Sequence, residues 1–244
     1  MRLVVTRPEP DGQALVRQLE EQGIEALCVP LLKIQQRQNT SLPDEPVQAV
    51  LVTSANGVRA LGAHSDFARF KDLPCYAVGD ASAAEAKVLG FGQVYSASGD
   101  LAALQVLVKQ SLKPNDGPLL YVTGSKIAGD LAGLLVQDDF KVIRTVLYDA
   151  IAVSVLPQTL IEAVKAGQVD GVILMSPRVA KIWGARLLDA SLGQTFAKLR
   201  YYCLSYAVKE ALKTGLKVVD EQISIADQPT QKALIEGVLA QKSP

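Results

Sequence analysis

Histidine is all but missing from this chain of 244 residues, and what little there is of it closes off whole classes of chemistry. His64 stands alone, so a histidine-rich metal centre and a Ser-His-Asp triad both lack parts. Its neighbours Gly62, Ser65 and Asp66 are loop residues, which predicts a solvated side chain. The cysteines are three, Cys28, Cys75 and Cys203. An odd number, widely spaced and set in or beside apolar runs, describes buried thiols and not a disulfide framework. Excess charge of either sign is absent too, with Lys+Arg 25 against Asp+Glu 25. Such a balance gives no global field for a polyanion, so nucleic acid is not an expected partner. No apolar run approaches the roughly 20 residues that a membrane span requires, and no charged leader with a long apolar core opens the chain. A cytoplasmic protein without a membrane partner is the expectation. Phosphate-binding signatures are lacking as well: there is no G-x-x-x-x-G-K-[ST], and Gly90-Phe91-Gly92 has neither the third glycine nor the setting of a dinucleotide fingerprint. The first strand ends in Thr6-Arg7, where a phospho-acceptor receiver would need acids.

What is present is a regular alternation. Short apolar runs (LVV, VQAVLVT, CYAVG) take turns with amphipathic stretches (DGQALVRQLEEQG, ANGVRALGA, DASAAEAKVLG). That is the pattern of βα units around parallel sheets covered on both faces, and the length suits two domains. The runs near Val50, Tyr76, Leu120, Val142, Ile173 and Tyr202 read as central strands.

The chain also repeats itself. The stretch from Leu3 aligns with that from Leu120 without a gap, pairing Thr6 with Thr123 and Gly12 with Gly129. VQAVLVTSANGVRALGA from Val47 aligns with VDGVILMSPRVAKIWGA from Val169, pairing Ser54 with Ser176, and CYAVGDASAAEAKVLG aligns with YYCLSYAVKEALKTG. Three alignments that keep the same order read as a duplication. The polar stretches around 35–46 and 150–158 fall at equivalent places and are candidate interdomain connectors.

In open parallel sheets, ligands bind beyond the carboxyl ends of strands, where helix N-termini offer unpaired N–H groups. The corresponding tips here are Thr6-Arg7-Pro8, Thr53-Ser54-Ala55-Asn56, Gly79-Asp80-Ala81-Ser82, Thr123-Gly124-Ser125-Lys126, Ser176-Pro177-Arg178 and Ser205-Tyr206. Each hydroxyl taken singly reads as a helix cap. Taken together, six hydroxyl-rich and carboxylate-poor tips with Arg7, Arg59, Lys126 and Arg178 nearby suit a ligand that carries several carboxylates.

Along its whole length the chain resembles the uroporphyrinogen-III synthase family. The carriers are, in the family's order, VVTRPEPDGQALVRQLEEQGIEALCVPLL, LVTSANGVRAL, YAVGDASAAEAKVLGF, VTGSKIAGDLAGLL, RTVLYDA, VILMSPRVAKIW and QPTQKALIEGVL. Thr123-Gly124 stands where the family often has Arg-Gly, and Ser205-Tyr206-Ala207-Val208 where it has residues like Gly-Pro-Thr-Thr. The resemblance implies an α/β fold of two flavodoxin-like domains with parallel sheets, three-layered α/β/α, duplicated and joined by a two-stranded connector. Residues 1–36 with 156–244 would form the first, discontinuous domain and 37–155 the second. It implies hydroxymethylbilane, a linear tetrapyrrole with eight carboxylates, as substrate, closed with loss of water and inversion of ring D in an interdomain cleft. No cofactor and no metal are implied, and a monomer is expected. Tyr148 in RTVLYDA matches the family's cleft tyrosine and is the candidate proton donor; without the resemblance it reads as a strand aromatic. The candidate substrate-binding residues are Thr6, Arg7, Ser54, Asn56, Ser82, Thr123, Gly124, Ser125, Ser176, Pro177 and Ser205. A two-lobed small-molecule binding protein without catalysis and a nucleotide-sugar transferase on a related fold are the competing expectations.

Overall fold

The computed structural model describes residues 1–189, 192, 196 and 198–241. The chain divides into two compact units, Met1–Lys33 with Ile151–Pro244, and Ile34–Ala150. No helix among the described residues is long and apolar enough to cross a membrane.

The first unit is built on strands β1 (Arg2–Val5), β2 (Glu25–Cys28), β9 (Gly171–Leu174), β10 (Arg200–Cys203) and β11 (Ile223–Ile225), in the sheet order β11-β10-β9-β1-β2. Every pairing in it is parallel. Parallel strands need a crossover to return the chain, and helices supply it. Helix α1 (Asp11–Glu21) links β1 to β2, turning Gly12, Leu15, Val16 and Leu19 inward at the i, i+3, i+4, i+7 spacing of one helical face. Central strand β9 is buried at all four positions, as a strand covered on both faces must be. Leu3, Val5, Ile173 and Tyr202 pack with Leu15, Leu19, Leu234 and Val238 into one core. Helices α6 (Gln158–Lys165), α7 (Pro177–Asp189), α8 (Tyr206–Gly215) and α9 (Gln231–Leu239) complete this unit among the described residues.

The second unit carries β3 (Leu32–Gln36), β4 (Ala49–Val52), β5 (Pro74–Ala77), β6 (Gln93–Ser96), β7 (Leu119–Gly124) and β8 (Val142–Ala152), in the order β3-β8-β7-β4-β5-β6. The pairs β4–β5, β4–β7, β5–β6 and β7–β8 are parallel. Strand β3 runs against β8: Arg37 N donates to Leu147 O at 2.8 Å and Val153 N to Leu31 O at 3.1 Å, one position advancing as the other retreats. The sheet is therefore mixed, and the chain passes between units within β3 and again within β8. Helices α2 (Ala55–Gly62) and α3 (Asp80–Leu89) lie in the core on one face with Val50, Val52, Val122 and Tyr148. Helices α4 (Leu101–Ser111) and α5 (Leu131–Gln137) cover Leu51, Tyr76, Leu119 and Tyr121 on the other. Helix α3 stops at Gly90, whose φ of 104° is a left-handed conformation that glycine adopts without cost from a Cβ.

The strands expected near Val50, Tyr76, Leu120, Val142, Ile173 and Tyr202 are all present, and each has a neighbour on both sides. Cys75 and Cys203 are buried and Cys28 partly so, all three as free thiols. Burial pushes the thiols of Cys75 and Cys203 up to about 12, well away from the range in which a thiolate would form. The expectation for His64 is corrected. Its ring is half-buried and bonded at both nitrogens: Nδ1 accepts from Asp66 N at 3.1 Å, starting the 3₁₀ turn Ser65–Arg69, and Nε2 meets Thr40 O at 2.8 Å. A carbonyl cannot donate, so Nε2 carries the proton and the ring is the neutral tautomer in this arrangement.

Candidate functional site

The loop after β4, the carboxyl end of β7 and the interior of β8 meet within the second unit. Ser54 follows β4 with extended backbone and caps α2: its Oγ accepts from Gly57 N at 3.1 Å. The same Oγ lies 2.8 Å from Tyr148 Oη, although the two residues are 94 positions apart. Tyr148 is 8% exposed, and its carbonyl accepts from Ser125 N at 3.0 Å. The ring owes its place to a residue that has no side chain. A Cβ built on Gly124 would stand 2.7 Å from Tyr148 Cε2 and Cζ, closer than carbon atoms tolerate, so only glycine lets the phenol lie against β7. The β7–β8 register shifts between Thr123 and Gly124, which is the irregularity that brings Tyr148 opposite Gly124.

Around this pair the polar groups are ordered. Thr123 is buried, and its Oγ1 accepts from Arg144 Nε at 3.2 Å while Arg144 Nη2 donates to Gly124 O at 3.3 Å. Thr53 Oγ1 and Tyr121 Oη are 3.5 Å apart, and burial raises the Tyr121 phenol above the ordinary tyrosine range. Arg37 grips Asp149 with two parallel bonds, Nε to Oδ2 at 2.8 Å and Nη2 to Oδ1 at 3.0 Å. That guanidinium, with the Ser125 hydroxyl, holds the Asp149 carboxyl down at about 2.

The depressed Asp149 has a testable consequence. A carboxyl that titrates lower in the folded chain than in the unfolded one stabilises the fold above the unfolded value, here 3.8, and ceases to do so as pH falls toward about 2. Between pH 5 and pH 2 the urea midpoint of wild-type protein should therefore drop more steeply than that of Arg37→Gln. Parallel pH profiles for the two proteins would show that the pair contributes nothing to acid stability.

The other candidates in this unit are placed as follows. Asn56 Oδ1 accepts from Arg59 Nη1 at 3.1 Å, and Arg59 pairs with Glu85 at 2.7 Å, tying α2 to α3. Ser82 is buried in the first turn of α3, and Ser125 is half-buried after β7.

In the first unit, Thr6 is 1% exposed and its hydroxyl donates to Ile173 O at 2.7 Å, fastening β1 to β9. Arg7 donates to Gln231 Oε1 at 2.5 Å and to Asp11 Oδ2 at 3.1 Å. Ser176 Oγ accepts from Val179 N at 3.2 Å, and Pro177 is the first residue of α7, where its missing N–H is harmless. Ser205 precedes α8 with extended backbone and no side-chain bond to the helix start. Ser54, Gly124, Ser125 and Tyr148 are thus brought together with Thr123 nearby, while the first-unit candidates occupy the ends of β1, β9 and β10.

Arg144, Arg37 and Asp149 were not singled out from the sequence. A charged residue in a strand reads as a solvent-facing position, and their pairing across distant segments leaves no periodic trace. Arg144 and Asp149 stand beside Tyr148 in RTVLYDA, which is the one signal the sequence offered for them, and Arg37 had none.

Comparison with known proteins extends this picture. The uroporphyrinogen-III synthetase of Helicobacter pylori 26695 matches with a TM-score of 0.65 at 16% identity, over 99% of each chain. A mutant uroporphyrinogen III synthase from the extremely thermophilic bacterium Thermus thermophilus matches with a TM-score of 0.54, also at 16% identity, over 100% of each. No curated protein sequence matches significantly. At such identities the solved structures speak for the fold, a mixed α/β architecture. The model of the family described as Uroporphyrinogen-III synthase HemD matches residues 13–236, nearly end to end, and on that match the chain belongs to the uroporphyrinogen-III synthases, cyclising lyases of tetrapyrrole biosynthesis.

Proposed function

We propose that the chain closes hydroxymethylbilane to uroporphyrinogen III with Tyr148 as proton donor and with the carboxyl-end loops of its sheets as carboxylate anchors. The contact that carries the assignment is the 2.8 Å approach of Ser54 Oγ to Tyr148 Oη, which fixes a phenol within β8 opposite the end of β7.

The reaction begins when the C–O bond of the terminal hydroxymethyl group breaks. Its electron pair leaves with oxygen, the Tyr148 proton passes to that oxygen, and water departs from an azafulvenium cation. The closing ring then attacks through its substituted carbon to give a spiro intermediate, whose rearrangement inverts ring D. Rearomatisation at the end releases one proton, which restores the phenol, so no cofactor is consumed. A tyrosine hydroxyl stays protonated at neutral pH, so a proton is at hand when the bond breaks. Because the unsubstituted carbon reacts without help, holding the substrate is what decides the isomer. Helix starts and hydroxyls at Ser82, Ser125, Ser176 and Ser205, with the backbone after Thr6 and Thr123, are groups of the kind that hold carboxylates. Arg7 and Arg144 add charge.

The same proposal reads the two units as copies of one flavodoxin-like domain. In the first unit the sheet runs β2-β1-β9-β10-β11, the 2-1-3-4-5 order of that fold. The repeat pairs β1 with β7, β4 with β9 and β5 with β10, and under it the second sheet, β8-β7-β4-β5-β6, takes the same order with its start moved along the chain. Strand β3 then stands as an addition at the β8 edge.

The decisive experiment incubates the protein with freshly made hydroxymethylbilane and identifies the porphyrin isomer after oxidation. Isomer III is the expected product. Isomer I alone, at the spontaneous rate, would leave a binding protein and no enzyme.

A further inference from the structure

We infer that Ser54 is a positioning residue for the reaction: its hydroxyl donates to Tyr148 Oη, turning the phenol proton outward and stabilising the oxygen as that proton leaves. The inference rests on the reading of Tyr148 as the donor and deepens it.

Distance alone does not say which hydroxyl gives the hydrogen. If the phenol donated to Ser54, its only proton would be engaged and none would be available for a leaving group. The cap favours one direction. Ser54 Oγ already accepts the Gly57 N–H at 3.1 Å, and an oxygen that accepts one hydrogen bond becomes a stronger donor in the next. The chain then runs Gly57 N–H to Ser54 Oγ, Ser54 O–H to Tyr148 Oη, and Tyr148 O–H to the departing oxygen. Negative charge that grows on Tyr148 Oη as its proton departs is one hydroxyl away from the α2 N-terminus, the positive end of the helix dipole.

The ring is held so that this direction matters. Gly124 allows it to lie against bare backbone, and the Ser125 N–H fixes the Tyr148 carbonyl at 3.0 Å. A phenol anchored at ring and backbone has one place for its oxygen, and Ser54 is the neighbour that sets where its hydrogen points. This departs from the carboxylate-anchor role that its loop position suggests, and kinetics separates the two. An anchor lost raises KM; a proton misdirected lowers kcat.

Ser54→Gly is the informative variant, because glycine caps helices almost as well as serine while the hydroxyl is lost together with its Cβ. Its kcat for isomer III should fall about tenfold, the size expected when a hydrogen bond to a charge-bearing oxygen is lost, with KM unchanged within about twofold. Ser54→Thr should restore kcat to within about threefold of wild type. Combined with Tyr148→Phe, Ser54→Gly should cost nothing further, since the group it acts through is gone. A wild-type kcat in Ser54→Gly, a raised KM with kcat intact, or losses that multiply in the double variant would each overturn the inference while leaving Tyr148 in place. Full activity of Tyr148→Phe is a different result, and it would overturn the donor assignment itself. Thermal melting of each variant separates a kinetic defect from a folding one.

Discussion

Tyr148→Phe is expected to lower kcat by at least about tenfold, because general-acid assistance is typically worth about 10²–10⁴. The substitution keeps the ring that packs against Gly124 and removes one oxygen. Stability should change little: the lost Ser54–Tyr148 hydrogen bond is worth about 1 kcal/mol in net terms, and Ser54 still caps α2 through Gly57 N. KM should hold, since the proposed carboxylate anchors are other residues. The measurement is steady-state production of isomer III, alongside thermal melting to show that the protein remains folded. Turnover equal to wild type would reduce Tyr148 to a buried strand aromatic. A fall in kcat with isomer III still the product would also separate two jobs, since ionisation would be slowed while the hold on the substrate that selects the isomer survives.

Much of the frame in which that tyrosine sits is readable in the sequence, and the limit of legibility is physical. Central parallel strands are covered on both faces, so Ala49–Val52 and Gly171–Leu174 are apolar at every position and stand out from their surroundings. Helix α1 shows its inward face at Gly12, Leu15, Val16 and Leu19 for the same reason. Tips are legible because helices begin there and need caps; Ser54, Asp100, Asp130 and Thr230 all cap as their residue types suggest. Strand β3 is different. Its residues alternate weakly and end in Gln35 and Gln36, and it is a strand because β8 lies alongside it from more than a hundred positions away. The same distance hides the Arg37–Asp149 pair, and the Nε2 bond of His64 depends on a carbonyl at Thr40 that no pattern announces. Gly124 could be seen as a glycine, but its purpose could not, since the atom it makes room for belongs to Tyr148. In the candidate site, then, residue types were legible and partnerships were not. Tyr148 itself reads as function through family resemblance, which carries information about partners that a single chain does not display.

The largest effect on stability is expected in the first unit, at Trp183 on α7. The side chain is fully buried and meets Phe196 edge-on, with ring centroids 5.5 Å apart. Replacing it by alanine removes most of the contact surface of a large aromatic and leaves a cavity that helices cannot readily close, a loss of about 3–5 kcal/mol. Helices α7 and α8 approach closely at the next residue: a Cβ on Gly184 would lie 3.2 Å from the Gly215 backbone, so α7 has little room to shift and close the cavity. One feature moderates the loss. The indole Nε1 is buried with no well-formed hydrogen bond among the described residues, although the Tyr201 phenol, pushed up to about 12 by burial, lies within its influence. An unsatisfied buried N–H is itself costly, so a residue that keeps most of the aromatic volume and drops the nitrogen should do much better than alanine. Trp183→Phe, which keeps one of the two rings, is accordingly expected to cost clearly less than Trp183→Ala. Urea denaturation of the three proteins tests the ordering. If Trp183→Phe proved as damaging as Trp183→Ala, the N–H would have to be making an interaction of its own, and the stabilising role would pass from the volume of the ring to its nitrogen.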